Sequence, residues 1–253
     1  MPLTSASAGH SPGTDSEDTL VLRLPEEFIA LCAEADAADA AVADEVAHQA
    51  DHEADHETRI PAGDDLLDRV ADWGPIRTPA GAFHLVPVRF ERDLPLINRW
   101  MNDPVVAEFW ELAGPQTLTE DHLRAQLAGD GRSVPCLGVL DGTPMSYWEI
   151  YRADLDPLAR HYPARPHDTG IHLLIGNVAD RGRGLGSTLL RAVADLVLEK
   201  RSACARVVAE PDLRNTPSVA AFLSAGFRFS AEVDLPAKRA ALMVRDRSQR
   251  DVR

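Results

Sequence analysis

Cysteine is scarce: Cys32, Cys136 and Cys204 are the only three in 253 residues, and no two form a CxxC pair. That excludes a disulfide-stapled scaffold and fits a reducing compartment, with each thiol a small core or surface residue rather than a nucleophile. Long apolar runs are absent too, none approaching the roughly 18–20 residues a membrane helix requires. The opening MPLTSASAGHSPG lacks a basic stretch followed by an apolar one, so it does not read as a signal peptide. A cytoplasmic protein with no membrane partner is expected. Basic residues are the minority, 26 Lys and Arg against 40 Asp and Glu, and form no stripe that could neutralise phosphates along a nucleic acid.

What is present is enough apolar residues, 45%, for a globular core. The net charge of −14 is unevenly spread. Residues 1–60 hold fourteen acidic side chains against two arginines, a charge of −12, which leaves −2 for all the rest. The acidity therefore belongs to the N-terminal segment and says little about a substrate. Four stretches follow from composition: a disordered tail at 1–18, an acidic segment with partial helix and flexible linker at 19–80, a globular domain at 81–246, and a short tail at 247–253. Within the acidic segment His52-Glu53-Ala54-Asp55-His56 matches H-E-x-x-H, with His48 extending the spacing. Its flanks are polar all round and supply no packed face to exclude water, so a zinc protease site is rejected and no metal is expected.

In the globular part, strands are predicted over 82–88, 135–140, 145–151, 171–175, 206–209, 227–233 and 240–244. Asp141-Gly142 marks a hairpin between the second and third. Helices are predicted over 95–101, 121–127, 187–199 and 218–225. The third is the clearest, with apolar Leu189, Leu190, Val193, Leu196 and Val197 at helical spacing. This mixture implies an α/β (α+β) fold, a mixed central sheet with helices on both faces.

Between the strand at 171–175 and the helix at 187–199 lies Arg181-Gly182-Arg183-Gly184-Leu185-Gly186-Ser187. Gly182, Gly184 and Gly186 allow close backbone approach and positive φ. The helix start supplies unpaired N–H groups and a positive dipole end, and Arg181 and Arg183 add charge. This reads as a pyrophosphate site built mostly from backbone. Downstream, Thr216 and Pro217 look like the start of a helix that ends at Gly226. His172 and Glu210 stand on or at the end of neighbouring candidate strands. An imidazole titrates near neutrality, so a His–carboxylate pair there suits proton removal from a nucleophile.

The order Arg-x-x-Gly-x-Gly between strand and amphipathic helix resembles the coenzyme A motif of the GNAT superfamily. The segments WMNDPVVAEFWE (100–111), SYWEIY (146–151), DTGIHLLIG (168–176) and AEPDLRN (209–215) resemble the siderophore-biosynthesis N-acyltransferases, including the desferrioxamine N-hydroxycadaverine acyltransferase and the aerobactin and mycobactin lysine acyltransferases. The similarity covers about residues 82–246. It implies a sheet splayed at the acyl-CoA site and acyl transfer from acetyl- or succinyl-CoA to a small-molecule N-hydroxylated amine, giving a hydroxamate. His172 and Glu210 match the catalytic positions. Leu173 and Leu174 would polarise the thioester carbonyl, and Asn215 and Phe222 would lie along the pantetheine arm. Many relatives carry at position 222 a Tyr that protonates the leaving thiolate; with Phe here, another group or water must do so. Trp100, Trp110, Trp148, Glu149, Tyr151 and Asp168 are candidates to contact the acceptor, with Glu149 binding a distal ammonium. On the alternating strand only one of the sets Ser146/Trp148/Ile150 and Tyr147/Glu149/Tyr151 can do so. An aminoglycoside-type N-acetyltransferase and a non-catalytic acyl-CoA-binding protein are the alternatives, and monomer and homodimer both remain open.

Overall fold

The computed structural model describes residues 67 and 69–249. The readings of the tail at 1–18, of the acidic segment as far as residue 66 and of the H-E-x-x-H run fall outside them, while residues 76–78, read as part of a flexible linker, form a strand. Eight strands form one sheet: β1 (Ile76–Thr78), β2 (Gly81–Pro87), β3 (Ser133–Leu140), β4 (Thr143–Arg152), β5 (Thr169–Ile175), β6 (Arg206–Ala209), β7 (Arg228–Asp234) and β8 (Arg239–Asp246). Their order is β1-β2-β3-β4-β5-β6-β8-β7. Every pairing is antiparallel except β5 with β6. Asp141 and Gly142, at φ 46° and 81°, close the β3–β4 hairpin in the left-handed conformations that a two-residue turn demands.

Five helices stand among the described residues: α1 (Phe90–Met101), α2 (Pro104–Trp110), α3 (Gln116–Leu127), α4 (Leu185–Lys200) and α5 (Thr216–Ser224). The apolar stripe of α4 drives it onto the sheet. Leu189, Leu190, Val193, Leu196 and Val197 are all buried, in one core with Phe83, Trp148, Ile150 and Phe222. Truncating a side chain such as Leu190 to Ala should cost about 2–5 kcal/mol. Leu67 and Val70 are buried in that same core, so packing begins ahead of residue 81. The opposite face is covered by α1–α3, where Leu94, Ile97, Trp100, Val106 and Leu123 meet Leu137, Tyr147 and Leu174.

Two helical features depart from expectation. Helix α1 starts five residues before Pro95, because the buried Asp93 carboxylate accepts the Arg89 N–H at 2.8 Å and secures the first turn. Pro95 then costs one helical hydrogen bond. Helix α2 was not anticipated. Asp103 caps it, accepting the Val105 N–H at 3.1 Å, Pro104 takes the first position, and Glu111 stops it at φ 52°. An Asp-Pro start of this kind is a readable signal that a seven-residue helix leaves too short to show periodicity.

Candidate active site

The site lies where the sheet divides. Strands β5 and β6 pair only at Thr169↔Val207 and Gly170↔Val208. Beyond Gly170 the strands diverge, and residues 171–175 have a strand partner only in β4. Short parallel pairing followed by divergence leaves backbone polar groups facing a cleft, where a ligand can take them up.

At one end of the cleft is the glycine-rich loop. Gly182 and Gly184 sit at φ 70° and 75°, and a Cβ on either would meet nothing within 4 Å, so the space above the loop is open. Gly184 is the N-cap of α4 and no side chain caps that helix, leaving its first N–H groups directed at the opening. Two helical turns of Leu and Val anchor it from below. Such a cradle fits a pyrophosphate. Arg181 does something other than expected. Its Nε and Nη2 donate to the carbonyls of Ile175 and Gly176, each at 2.9 Å, and its Nη1 pairs with Asp103 at 2.8 Å. The guanidinium thus braces the loop against β5 and α2. Arg183, with a side chain 66% exposed, lies 3.8 Å from the Asp180 carboxylate at the mouth of the loop.

Two cavities meet in the cleft. One, of about 420 Å³, runs from the loop along Leu173–Ile175 and the α5 start. The other, of about 270 Å³, ends at Glu149, His172 and Glu210. Phe109, Trp110, Leu173, Asn215, Ser218 and Phe222 line both, which makes them one bent channel. Phe109, Ser218, His122 and Lys238 were not singled out from sequence. Only the α2 capping pattern could have pointed to Phe109; the others carry no local signal.

At the bend, His172 stands between two carboxylates. The register pairs it with Glu149 across β4–β5, so both side chains share one face. Its Nδ1 is 2.9 Å from Glu149 Oε2 and its Nε2 is 2.5 Å from Glu210 Oε1. Glu149 Oε1 also accepts from His122 and Gln126, each at 2.6 Å, and from the Tyr147 hydroxyl at 2.9 Å. Glu210 Oε2 accepts from the Tyr151 hydroxyl at 2.8 Å, and Lys238 Nζ approaches its other oxygen at 3.6 Å. Burial alone would lower the imidazole pKa, but the charge of Glu210 and the hydrogen bonds to both carboxylates lift it to about 10. Burial likewise opposes ionisation of Glu210, yet the His172 charge carries its pKa down to about 2. Glu149 is also held ionised against the cost of burial, first by its bonds to His122 and His172. Both ring nitrogens of His172 are thus engaged by carboxylates.

Several expected acceptor contacts lie elsewhere. Trp148 is fully buried on the α4 face, its indole donating to Ser146 Oγ at 2.8 Å and its ring edge-on to Phe83. Strand alternation places it opposite Glu149, so it is core and not channel. Trp100 packs in the α1–α3 core, its ring seated where a Cβ on Gly176 would be. Asp168, also fully buried, binds Arg206 at 2.9 Å and the Tyr162 hydroxyl at 3.0 Å. Glu149 has no oxygen left for a distal ammonium. Trp110 does face the channel, edge-on to both Tyr147 and His172, and Tyr151 stacks at a tilt on His172.

The fold and this cleft define a class, and residues 89–235 match the sequence model of the acetyltransferase (GNAT) domain. The chain belongs to that family and is an acyl-CoA-dependent N-acyltransferase. The likeness to siderophore-biosynthesis N-acyltransferases is also borne out. Over 177 residues, 70% of this chain and 72% of the other, it is 36% identical to lysine N-acyltransferase MbtK of Mycobacterium sp. (strain MCS). It is 36% identical over 155 residues to the N(6)-hydroxylysine O-acetyltransferase of Escherichia coli, covering 61% of this chain and 49% of that protein. Among solved structures, AAC(6')-Ib in complex with paromomycin and acetyl-CoA superposes with a TM-score of 0.61 at 25% identity, over 68% of this chain and 98% of the other. Among the described residues no cluster could hold a metal ion, and no helix is long and apolar enough to cross a membrane.

Proposed function

We propose that the chain moves an acetyl or succinyl group from acyl-CoA to the hydroxylamino nitrogen of an N-hydroxylated five-carbon amine, N-hydroxycadaverine or a close analogue, forming a hydroxamate for siderophore synthesis. The observation that carries this reading is the junction of the two cavities beside His172 and Glu210. The nitrogen lone pair attacks the thioester carbon, and a backbone N–H at Leu173 or Leu174 receives the carbonyl oxygen as it gains charge. The nitrogen gives its proton to the His172–Glu210 pair. The C–S bond breaks with its electrons on sulfur, and since Phe222 has no proton to offer, water or another group supplies the thiol hydrogen. Trp110 and Phe109 form an apolar wall suited to an aliphatic chain.

A second reading differs only at the far end of the acceptor. Lys238 faces the acceptor cavity, whereas Glu149 is committed to His172. A cation there favours a carboxylate, as in N6-hydroxylysine, the substrate in the name of the Escherichia coli relative. Coenzyme A release should be followed with N-hydroxycadaverine, N6-hydroxylysine, cadaverine, lysine and an aminoglycoside, each with acetyl- and succinyl-CoA. Turnover confined to the two hydroxylamines is expected, and Lys238→Ala should impair N6-hydroxylysine more. Equal or faster turnover of the unhydroxylated amines, or of the aminoglycoside, would overturn the proposal.

A further inference from the structure

A neutral imidazole has one N–H to give, yet both ring nitrogens of His172 lie within hydrogen-bond distance of a carboxylate oxygen, 2.9 Å to Glu149 and 2.5 Å to Glu210. With both carboxylates ionised, only the cation satisfies both. We propose that Glu149 is a positioning residue that holds His172 as an imidazolium bridging two carboxylates, so that Glu210 and not the imidazole takes the proton from the acceptor nitrogen. The inference rests on the acyl-transfer reading above and assigns roles within it.

Glu149 is built for this task. Its carboxylate is buried, at 6% exposure, with three further donors, from His122 and Gln126 of α3 and Tyr147 of β4, fixing the oxygen that does not face His172. Gln126 is itself oriented by the Ser133 hydroxyl, which donates to its Oε1 at 3.0 Å. Ionisable and charged groups around the imidazole are Glu149, Tyr147 and Tyr151 from β4, His122 from α3, Glu210 after β6, Lys238 from the β7–β8 turn, and Asp156 in the turn after β4. The three carboxylates favour the cation, and Lys238 opposes it from beyond Glu210.

The consequence is a filter on substrates. With the imidazole already protonated, the proton acceptor beside it is the Glu210 carboxylate, which cannot deprotonate an alkylammonium of pKa about 10.4. A hydroxylamino nitrogen arrives unprotonated and needs a base only once the C–N bond has formed, when its N–H becomes strongly acidic. The proton then passes to Glu210, whose negative charge is cancelled, while the imidazolium keeps its own two protons, one directed at each carboxylate. The adduct then collapses, the C–S bond breaking with its electrons on sulfur, and water or another group protonates the thiolate as above.

The decisive measurement is 15N NMR of histidine-labelled, full-length protein between pH 6 and 9. Both nitrogens of His172 should remain protonated at pH 8, with the assignment made through His172→Gln. In Glu149→Gln the ring should lose a proton within this range. That variant should also lose about 10²-fold in kcat at unchanged KM for acyl-CoA, with the alkaline limb of its rate profile moved to lower pH. A bare ring nitrogen at pH 8 in the unaltered protein overturns the inference whatever the variant does, as does a Glu149→Gln variant with an unchanged pH profile. Since the NMR needs no substrate, a neutral His172 in an active hydroxylamine acyltransferase sinks this inference alone. A protonated His172 in a chain that acylates no hydroxylamine sustains the clamp and overturns the acceptor assignment.

Discussion

The two ends of the channel are built from opposite materials. The glycine-rich loop is backbone: N–H groups at a helix start, shaped by two left-handed glycines and open to solvent. The other end is side chain: a half-buried imidazole on β5, the buried Glu149, Tyr147 and Tyr151 of β4 and the buried Glu210 after β6, each bonded to another. The backbone cradle suits a pyrophosphate that any acyl-CoA carries, so on the proposed reading it should tolerate changes in the side chains around it. The buried cluster depends on every partner, since removing one leaves a charge desolvated and unpaired.

That contrast can be broken most forcefully at the cluster. His172→Ala and Glu210→Ala should each lower kcat by about 10²–10⁴-fold while leaving the affinity for acyl-CoA nearly unchanged, as steady-state kinetics and CoA calorimetry would reveal. A loss below about tenfold in both variants would end their catalytic assignment. At the loop the pattern should invert. Gly184→Val forces a branched residue into φ 75°, at a cost of about 1–2 kcal/mol, so KM for acyl-CoA should rise roughly tenfold with kcat preserved. The two loop arginines should separate more gently. Arg181→Ala removes two carbonyl bonds and the Asp103 pair, so it should lower the melting temperature as well as CoA affinity. Arg183→Ala should leave stability intact and weaken CoA binding only about threefold, an effect that fades in high salt.

Sequence and structure agree where one segment contains its own cause. The α4 stripe, the Asp141-Gly142 hairpin and the glycine loop each depend on residues a few positions apart, so their spacing was legible. Alternation along β4 left one of two sets for the channel, and burial of Trp148 against Phe83 excluded its own; of the other set Glu149 lines the cavity, with the buried Tyr147 and Tyr151 bonded to Glu149 and Glu210. Trp100 and Trp148 misled because a large aromatic residue serves a core as well as a substrate wall. Lys238 and His122 gave no signal, since each reaches the cleft only through the placement of a distant turn or helix.

By itself the sequence indicated most strands and helices (though neither β1 nor α2), the glycine-rich turn before a long helix, and a His and a Glu on or at the end of neighbouring strands, because local spacing governs all of these. Only the tertiary structure shows what surrounds that His. Whether an imidazole acts as base or sits as a cation depends on which charges surround it within a few ångströms. Here they come from positions 149 and 210, brought to the same ring by the β4–β5 register and the parting of β5 from β6.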